Sequence, residues 1–522
     1  MSQQAALSVH YTRLSVFCFA KAGVLKSHTE KRKKIKQMLN LFSWLGMRDS
    51  NPRMLVPETS ALPLGESPLQ SDIIAYSERE LNGEGIIESM SKKELPIITI
   101  RLAQIVGGGQ TIATMEDGRK LFVWGGLPGE LVDVQLTKKK SKLAEGIVVA
   151  VHEPSEDRVE AKDAESYLST SPWQIMSFAK EQHYKAALIE EAFELHDIVL
   201  PETIEVYSDD REYGYRNKME FSWWWTKEIE QLDLAFFKRG THTKIAVQSS
   251  SLATDVLNEA AVRMRDILRA REAKGFLLKT LLIRTSAAGE VAMQLYVKDS
   301  DFALFTDEEI KALDAYSFEL IFSNPQSPAS VITERLQQWG HEALSDTILE
   351  VPFRYATEGF FQINLPVYEQ ALRDMQTYIA ADKPVVDLYS GVGTIGLTIG
   401  GDTPTLVEIN EHAVREMKEN IAELGKTGAE AVLSASEQAL DHINGDALII
   451  VDPPRAGLEQ SVVDRLLETK PERIVYLSCN PATQARDVAR LAEVYGIKAH
   501  RGYNFFPRTP HIEHLVVLDK KA

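Results

Sequence analysis

Short apolar segments that end abruptly in polar, glycine or proline residues recur over the last third of the chain. Four of them lie at 384–388, 405–407, 448–451 and 473–477. Runs of this kind are typical of parallel strands buried on both faces, and segments with helical periodicity separate them. The alternation predicts an α/β domain with a doubly wound, Rossmann-like sheet over residues 346–522.

Two polar motifs directly follow two of these segments. Asp452 opens the sequence DPPR, and Cys479 is the second residue of SCNP. The carboxyl ends of parallel strands share the edge at which open α/β sheets bind ligands. Asn480 suits the N-cap and Pro481 the first position of a following helix, whose positive end is expected to lower the pKa of the thiol. Cys479 is therefore predicted to be a nucleophile, with a small buried core cysteine as the alternative.

A glycine turn follows the first apolar segment. Gly391 and Gly393 would let the backbone approach a ligand, and Glu408, at the end of the next segment, could accept hydrogen bonds from ribose hydroxyls. With Gly396 the turn also reads G-x-G-x-x-G, so a nicotinamide dinucleotide is a competing interpretation. The acidic end of the first segment, together with the DPPR and cysteine motifs, favours S-adenosylmethionine.

Residues 1–94 do not have the pattern of a folded domain. The run KRKK at 31–34 lies in a basic, acid-poor start, and a segment rich in proline and serine follows at 51–71. A transit peptide shares the basic start, but sustained amphipathic periodicity is missing. We expect a disordered tail or a non-native extension, with Met90 as a reasonable native start.

Residues 95–152 change to short alternating strands with glycine turns, which predicts a small OB-like β-barrel. Lys138, Lys139, Lys140 and Lys142 cluster in one apparent loop. Such a loop suits contact with a phosphate backbone, and a solvated hairpin tip is the alternative.

Residues 153–345 alternate helices and strands less regularly, which predicts a mixed α+β central domain. Tryptophans at 223–225 follow Arg216 and Lys218, and aromatic residues interleaved with basic ones can hold single-stranded bases. Because neighbouring residues of a strand face opposite ways, at least one side of the tryptophan run is expected in the core.

The composition excludes several classes of protein. Cys18 and Cys479 are the only cysteines, which excludes a disulfide framework and a four-cysteine metal site, so a reducing, cytoplasmic location is expected. No apolar run is long enough for a transmembrane helix, and no membrane association is expected. The net charge of −17 argues against an indiscriminate nucleic-acid coat, yet a negative body can carry a local positive groove.

The ordered motifs resemble those of the RumA/TrmA family of RNA uracil-5-methyltransferases, and the resemblance covers nearly everything from about residue 95. The motifs are FQIN at 361–364, DLYSGVG at 387–393, VEIN at 407–410, DPPR at 452–455, SCNP at 478–481 and TPHIE at 509–513. The segment FVWGGLPGE at 122–130 resembles the TRAM RNA-binding domain often attached to that family, and YGYRNK at 213–218 resembles its central domain.

The resemblance implies methylation of carbon 5 of a uridine in RNA, with Cys479 as nucleophile and Glu513 as base. The cofactor would be S-adenosylmethionine, and its expected contacts are Gln362, Tyr389, Gly391, Gly393, Glu408 and Asp452. The expected RNA contacts are Asp452, Pro453, Arg455, Lys138, Lys139, Lys140, Arg216 and Lys218. The TRAM-like segment favours 23S ribosomal RNA as the substrate, and a monomer is expected. The alternatives are a T-loop uridine of tRNA, an amino-methyltransferase that uses the DPP motif, and a non-catalytic RNA-binding protein.

The chain departs from the family in one respect. Many members carry an iron-sulfur cluster between the TRAM and central domains, but residues 151–185 contain no cysteine. Ser166, Ser169, Ser171 and Trp173 occupy that region instead. We therefore expect no iron-sulfur cluster and no other metal, so packing has to support this region.

Overall fold

The computed structural model describes residues 95–241 and 243–522. The expectation for residues 1–94 lies outside this part of the chain. The strands of the described residues form three large sheets and one two-stranded sheet. None of the described helices is long and apolar enough to cross a membrane.

The first large sheet spans residues 97–153 and carries its own apolar core. Its strands are β1 (Ile97–Arg101), β2 (Gln104–Ile105), β3 (Thr111–Thr114), β4 (Lys120–Trp124), β5 (Leu131–Lys139) and β6 (Leu143–Glu153). Their order in the sheet is β1-β5-β6-β4-β3-β2, with β4 parallel to β6 and the other neighbours antiparallel. Alternate residues of β5 are buried over its first two thirds, as expected of a strand with one face on a core.

Half of the lysine cluster lies in a strand, so the prediction of a loop was wrong for Lys138 and Lys139. Both residues belong to β5 because they pair with the start of β6, where Lys138 stands opposite Glu145. Cross-strand pairing here outweighs the low strand propensity of lysine. Lys140 and Lys142 lie at the turn, and all four lysines are exposed.

The second large sheet has helices on one face, which bury its apolar side chains. The elements of residues 154–340 are α1 (Tyr167–Thr170), α2 (Phe178–Glu194), β7 (Val206–Tyr207), β8 (Lys218–Thr226), β9 (Gln231–Phe237), β10 (Lys244–Val247), α3 (Asp255–Ala270), the 3₁₀ turn Gly275–Leu277, β11 (Leu278–Thr285), β12 (Val291–Val297), α4 (Asp307–Leu313), β13 (Ser317–Phe322) and β14 (Glu334–Gly340). The order is β10-β9-β8-β11-β12-β13-β14. Thr254 and Thr306 cap α3 and α4 by accepting backbone N–H groups of the first turn.

The tryptophans of β8 divide between core and surface. Trp223 is buried, whereas Trp224 and Trp225 leave 40% and 41% of their surface exposed. The expectation that one side of this run packs in the core is confirmed by Trp223. Stacking of RNA bases on the exposed pair stays a prediction.

The third large sheet has eight strands in the order β19-β18-β17-β20-β21-β23-β22-β7. The elements that complete the chain are β15 (Leu344–Ile348), β16 (Val351–Tyr355), α5 (Leu365–Gln376), β17 (Val385–Leu388), α6 (Thr394–Ile399), β18 (Thr405–Glu408), α7 (Glu411–Glu423), β19 (Glu430–Leu433), the 3₁₀ turn Leu440–His442, β20 (Leu448–Val451), α8 (Gln460–Thr469), β21 (Arg473–Ser478), α9 (Pro481–Leu491), β22 (Tyr495–Tyr503) and β23 (Glu513–Lys520). The strands β17 to β21 pair with one another in parallel, while β23 runs antiparallel to β21 and β22.

This sheet confirms the predicted doubly wound α/β architecture. Separate apolar clusters cover its two faces, and every residue of β17 and β20 is buried, as their continuous apolar sequences predicted. The short strand β7 comes from the central part of the chain and pairs with β22 at one edge. The central and C-terminal parts are therefore joined through the sheet as well as through side chains.

Candidate active site

Asp452, Cys479 and Glu513 meet at one edge of the third sheet. Cys479 directly follows β21, and Asp452 directly follows β20, its parallel neighbour. Because β23 is antiparallel to β21, its first residues lie at the same edge, and His514 pairs with Ser478. Glu513 therefore stands beside Cys479, although the two residues are far apart in sequence.

The cysteine motif is bound to the DPPR motif by side-chain hydrogen bonds. Asn480 caps α9 by accepting the N–H of Ala482, as predicted, and its Nδ2 donates to the carbonyl of Arg455 at 2.9 Å. The Thr483 hydroxyl donates to the same carbonyl at 3.1 Å. The Arg455 guanidinium lies 3.2 Å from Nδ1 of His511. These bonds fix the loops after β20 and β21 relative to each other.

The expected lowering of the Cys479 pKa is wrong. Burial raises the pKa of this thiol above its usual range, and the neighbouring carboxyl groups of Glu513 and Asp452 raise it further, while Arg455 opposes them. A helix N-terminus contributes at most about 2 kcal/mol at a partly buried site, less than the cost of charging a buried group beside two acids. Burial and the two acids therefore outweigh the effect of the helix start.

The two carboxyl groups are also shifted. Burial, followed by the nearby Asp452, raises the pKa of Glu513 well above that of an ordinary glutamate, with Arg455 opposing the shift. Burial raises the pKa of Asp452 as well. A carboxylate with a raised pKa is a stronger base, so Glu513 is suited to take up a proton.

Cys479 is expected to react slowly with iodoacetamide at neutral pH and faster in Glu513→Gln. The Glu513 carboxyl group raises the pKa of Cys479, so its replacement by an amide lowers that pKa while burial still keeps it raised. The measurement is the alkylation rate of the Cys479 peptide against pH, followed by mass spectrometry. The peptide that contains Cys18 is quantified separately, and an unchanged pH profile for Cys479 in the variant would contradict the electrostatic coupling.

The glycine turn after β17 leaves room for a ligand. Gly391 has a positive φ of 56°, and a β-carbon built on it would meet no heavy atom within 4 Å. Its N–H donates to the Glu408 carboxylate at 3.0 Å. One oxygen of the buried Asp387 carboxylate accepts the N–H of Gly396 at 2.9 Å, and the other lacks a partner among the described residues. Open space, an unpartnered buried oxygen and the Glu408 carboxylate fit a ligand with a ribose and a charged group.

The other glycines of the turn serve packing. Gly393 is the N-cap of α6 at a φ of 89°, where a side chain would be strained. A β-carbon on Gly396 would lie 2.2 Å from the Leu406 side chain, so this glycine lets α6 approach β18 closely. The strand, the turn and the helix thus fix the end of β18, where Glu408 stands.

Gln362 and Tyr389 flank this turn in different environments. The Gln362 side chain is half-buried just before α5, and its backbone carbonyl accepts a hydrogen bond from Asn217 at 3.3 Å. Tyr389 has a positive φ of 65°, which is uncommon for a bulky residue. Its ring packs partly against an apolar cluster of the sheet, and burial raises the pKa of its hydroxyl to about 12.

Of the expected RNA contacts, Lys218 is engaged inside the protein. Its ammonium donates to the carbonyls of Glu358 and Gly359 at 2.8 and 3.3 Å, and burial lowers its pKa to about 7. Arg216 lies close enough to His511 for its charge to lower the pKa of that histidine. The Arg216 Nε is buried without a hydrogen-bond partner among the described residues. Pro453 is buried beside Asp452.

Arg284 was not singled out from the sequence, although it supports the same loop as Lys218. Its guanidinium is buried and donates to the carbonyls of Ala356, Gly359 and Phe361 at 3.2, 2.9 and 3.3 Å. The available signal was an arginine within the apolar run of β11. Together with Lys218, it fixes the loop that leads to Gln362.

Comparisons with known proteins show which families this chain is similar to. Residues 178–521 match the family model described as tRNA (Uracil-5-)-methyltransferase, and residues 106–149 match the TRAM domain. A protein from Lactobacillus johnsonii named as an uncharacterized RNA methyltransferase is 29% identical over 435 residues, covering 77% of this chain and 94% of its own. A protein of the same description from Enterococcus faecalis is 28% identical over 455 residues, covering 82% of this chain and 98% of its own.

The solved structures include one with the same fold over most of the chain. It is the Pyrococcus abyssi tRNA (uracil-54, C5)-methyltransferase, crystallised in complex with S-adenosyl-L-homocysteine. The TM-score is 0.64 at 22% sequence identity, over 81% of this chain and all of that one.

Proposed function

The chain belongs to the tRNA (uracil-5-)-methyltransferase family, and from that premise we propose that it methylates carbon 5 of a uridine in RNA through a covalent bond to Cys479. The observation that carries the proposal is the meeting of Cys479, Glu513 and Asp452 at one sheet edge, next to an open glycine turn. The protein is an RNA methyltransferase with S-adenosylmethionine as its methyl donor.

The reaction needs a thiol because carbon 5 of uracil is a poor nucleophile. Addition of Cys479, as its thiolate, to carbon 6 forms a C–S bond, breaks the π bond between carbons 5 and 6 and moves its electron pair onto carbon 5 and oxygen 4. S-adenosylmethionine, when bound, supplies the electrophilic methyl group that this carbon takes. Glu513 then removes the proton of carbon 5, and the returning electron pair restores the double bond and expels the thiolate.

The raised pKa of Cys479 affects the first of these steps, the addition of its sulfur to carbon 6. A thiol beside two acids would be a poor nucleophile in the free enzyme, so binding of the uracil ring has to favour the thiolate. Arg455 is the cation that lowers the pKa of both Cys479 and Glu513, and we propose that it stabilises the charge that develops during addition. Pro453 would form a rigid wall beside the ring.

The cofactor would lie over the glycine turn. We propose that Glu408 holds the ribose, with Gly391 and Gly393 giving backbone access and Gln362, Tyr389 and Asp452 lining the remainder. The unpartnered oxygen of Asp387 and the free space at Gly391 support this placement. Family membership identifies the nucleoside as S-adenosylmethionine.

The RNA would be held by the first sheet and the central part of the chain. Exposed Lys138, Lys139 and Lys140 would contact phosphates, and Arg216, whose charge lowers the pKa of His511, would contact the RNA near the site. A uridine inside folded RNA cannot reach Cys479 unless it is flipped out of its stack. A local positive surface is compatible with the overall negative charge of the chain.

We propose 23S ribosomal RNA as the substrate because a TRAM domain is present. A tRNA uridine is the second candidate, since a solved enzyme of the same fold acts on tRNA. The test is incubation of ribosomal RNA and tRNA, both from a strain lacking the gene, with S-adenosylmethionine labelled in its methyl group. We expect labelled 5-methyluridine in 23S RNA digests. Label confined to tRNA would overturn the ribosomal assignment.

A further inference from the structure

The connection between β22 and β23, residues 504–512, is held from both the central part of the chain and the TRAM domain. This connection, called here the 504–512 loop, leads directly into Glu513 and contains His511. The residue before the loop, Tyr503, pairs with Glu513 across the hairpin. Displacement of the loop would therefore move the base of the proposed reaction.

A buried charge network from α2 holds the first half of the loop. The Glu181 and Lys185 side chains are fully buried and form an ion pair at 3.0 Å. The Lys185 ammonium donates to the Asn504 side chain and to the carbonyl of Phe506, the latter at 3.1 Å. Glu181 accepts the backbone N–H of Arg508 at 3.0 Å. Breaking such a pair is costly because it leaves an unpaired buried charge.

Arg508 gives the network a second set of contacts with the central part of the chain. Its guanidinium donates to the carbonyl of Met176 at 2.7 Å and to the Glu212 carboxylate. Its backbone has a φ of 65°, which is unfavourable for a non-glycine residue without compensating contacts. The Tyr215 hydroxyl donates to the carbonyl of Pro507 at 3.0 Å.

The TRAM domain touches the second half of the loop at Gly109. A β-carbon built on Gly109 would lie 2.1 Å from the side chain of Pro510, so no larger residue fits without moving the loop. The indole N–H of Trp173 donates to the Gly109 carbonyl at 3.0 Å and fixes this contact. The backbone N–H of Trp173 in turn donates to the carbonyl of Arg508 at 3.1 Å.

We infer that Glu181, Lys185 and Gly109 are positioning residues that place Glu513 against carbon 5 of the bound uracil through the 504–512 loop. The inference rests on the proposed function, because it takes Glu513 as the base. The residues act on the second half of the reaction, proton removal and release of the thiolate. They touch neither the glycine turn nor Glu408, so cofactor binding is independent of them.

The test compares Gly109→Ala and Lys185→Met with the wild-type enzyme. We expect kcat to fall roughly 10- to 100-fold, the effect of a small misplacement of a catalytic group. We also expect a methylated RNA adduct of Cys479 to accumulate on unmodified substrate RNA, as a band that survives denaturing electrophoresis. The affinity for S-adenosylhomocysteine, measured by calorimetry, should stay unchanged.

Gly118→Ala is the matched control for Gly109→Ala. Gly118 lies in the same domain as Gly109, and its φ of 82° is close to that of Gly109. A β-carbon built on Gly118, however, would meet no heavy atom within 4 Å. This variant should turn over like the wild type and accumulate no adduct. The double variant Glu181→Gln with Lys185→Met removes both charges of the buried pair. It replaces Lys185→Met in the test if that single variant fails to fold, and it should also accumulate adduct.

Two results would overturn this inference and leave the proposed function standing. One is normal turnover without adduct in both Gly109→Ala and the double variant. The other is a parallel loss of turnover, adduct and cofactor binding, which would indicate general destabilisation. If wild-type enzyme forms no adduct even with RNA containing 5-fluorouridine, the proposed function fails, and the inference fails with it.

Discussion

Replacing Cys479 by alanine is expected to reduce methylation of carbon 5 by roughly 10⁴-fold or more, as the loss of a covalent nucleophile does in other enzymes. Without the sulfur, no electron pair reaches carbon 5, and the methyl group finds no nucleophile. The side chain takes no part in the hydrogen bonds that fix the loops, which run through Asn480 and Thr483. The variant should therefore fold and bind cofactor normally.

The measurement is incorporation of labelled methyl groups into substrate RNA in a single turnover, with affinity for S-adenosylhomocysteine as the test of folding. Cys18→Ser is the control, because it removes the other thiol of the sequence. Methylation retained by Cys479→Ala would contradict the covalent mechanism. A label found on a base nitrogen would then support the amino-methyltransferase alternative, which needs no thiol. If the wild-type protein binds RNA but binds no cofactor and transfers no labelled methyl group, it would instead be a non-catalytic RNA-binding protein.

Replacing Glu513 by glutamine is expected to lower kcat by about 10²- to 10⁴-fold, the contribution of a general base. The variant should form the C–S bond and take up the methyl group, because both steps precede removal of the proton of carbon 5. A covalent complex of enzyme and methylated RNA should accumulate. Its amount after denaturing electrophoresis, with labelled RNA, is the measurement.

Asp519→Asn provides a control at the opposite end of the same strand. Asp519 forms an ion pair with Arg473 at 2.6 Å, away from the site edge, so its loss changes stability but no catalytic group. No adduct should accumulate in that variant. Absence of adduct in Glu513→Gln together with a normal rate would remove Glu513 from the mechanism and direct attention to Asp452 as the base.

The placement of the site was predictable because local sequence determines strand ends and helix starts. The apolar runs of β20 and β21 end where the chain must leave a two-sided core, so Asp452 and Cys479 were placed at the sheet edge correctly. Asn480 and Pro481 predicted the start of α9, and the structure has that cap. Glu513 was different, because an acid before a strand is most often solvated, and only the family resemblance singled it out.

The ionisation of Cys479 was not predictable from the residues around it in sequence. The helix start argues for a lowered pKa, whereas Glu513 and Asp452 arrive from other strands and, with burial, raise it. The lysines show the same limit. Lys218 reads as an RNA contact in sequence, yet its ammonium is engaged by carbonyls of a loop far along the chain.

The sequence by itself determined the architecture of the α/β domain, the glycine turn and the position of Cys479 at the sheet edge, because each depends on contacts between near neighbours in the chain. Only the tertiary structure decided the direction in which the pKa of the thiol shifts, the buried roles of Lys218 and Arg284, and the attachment of the 504–512 loop to α2 and Gly109. Those properties depend on burial and on charges contributed by distant segments. Electrostatic energies in a poorly polarisable interior are set by distances in space, which a sequence pattern does not contain.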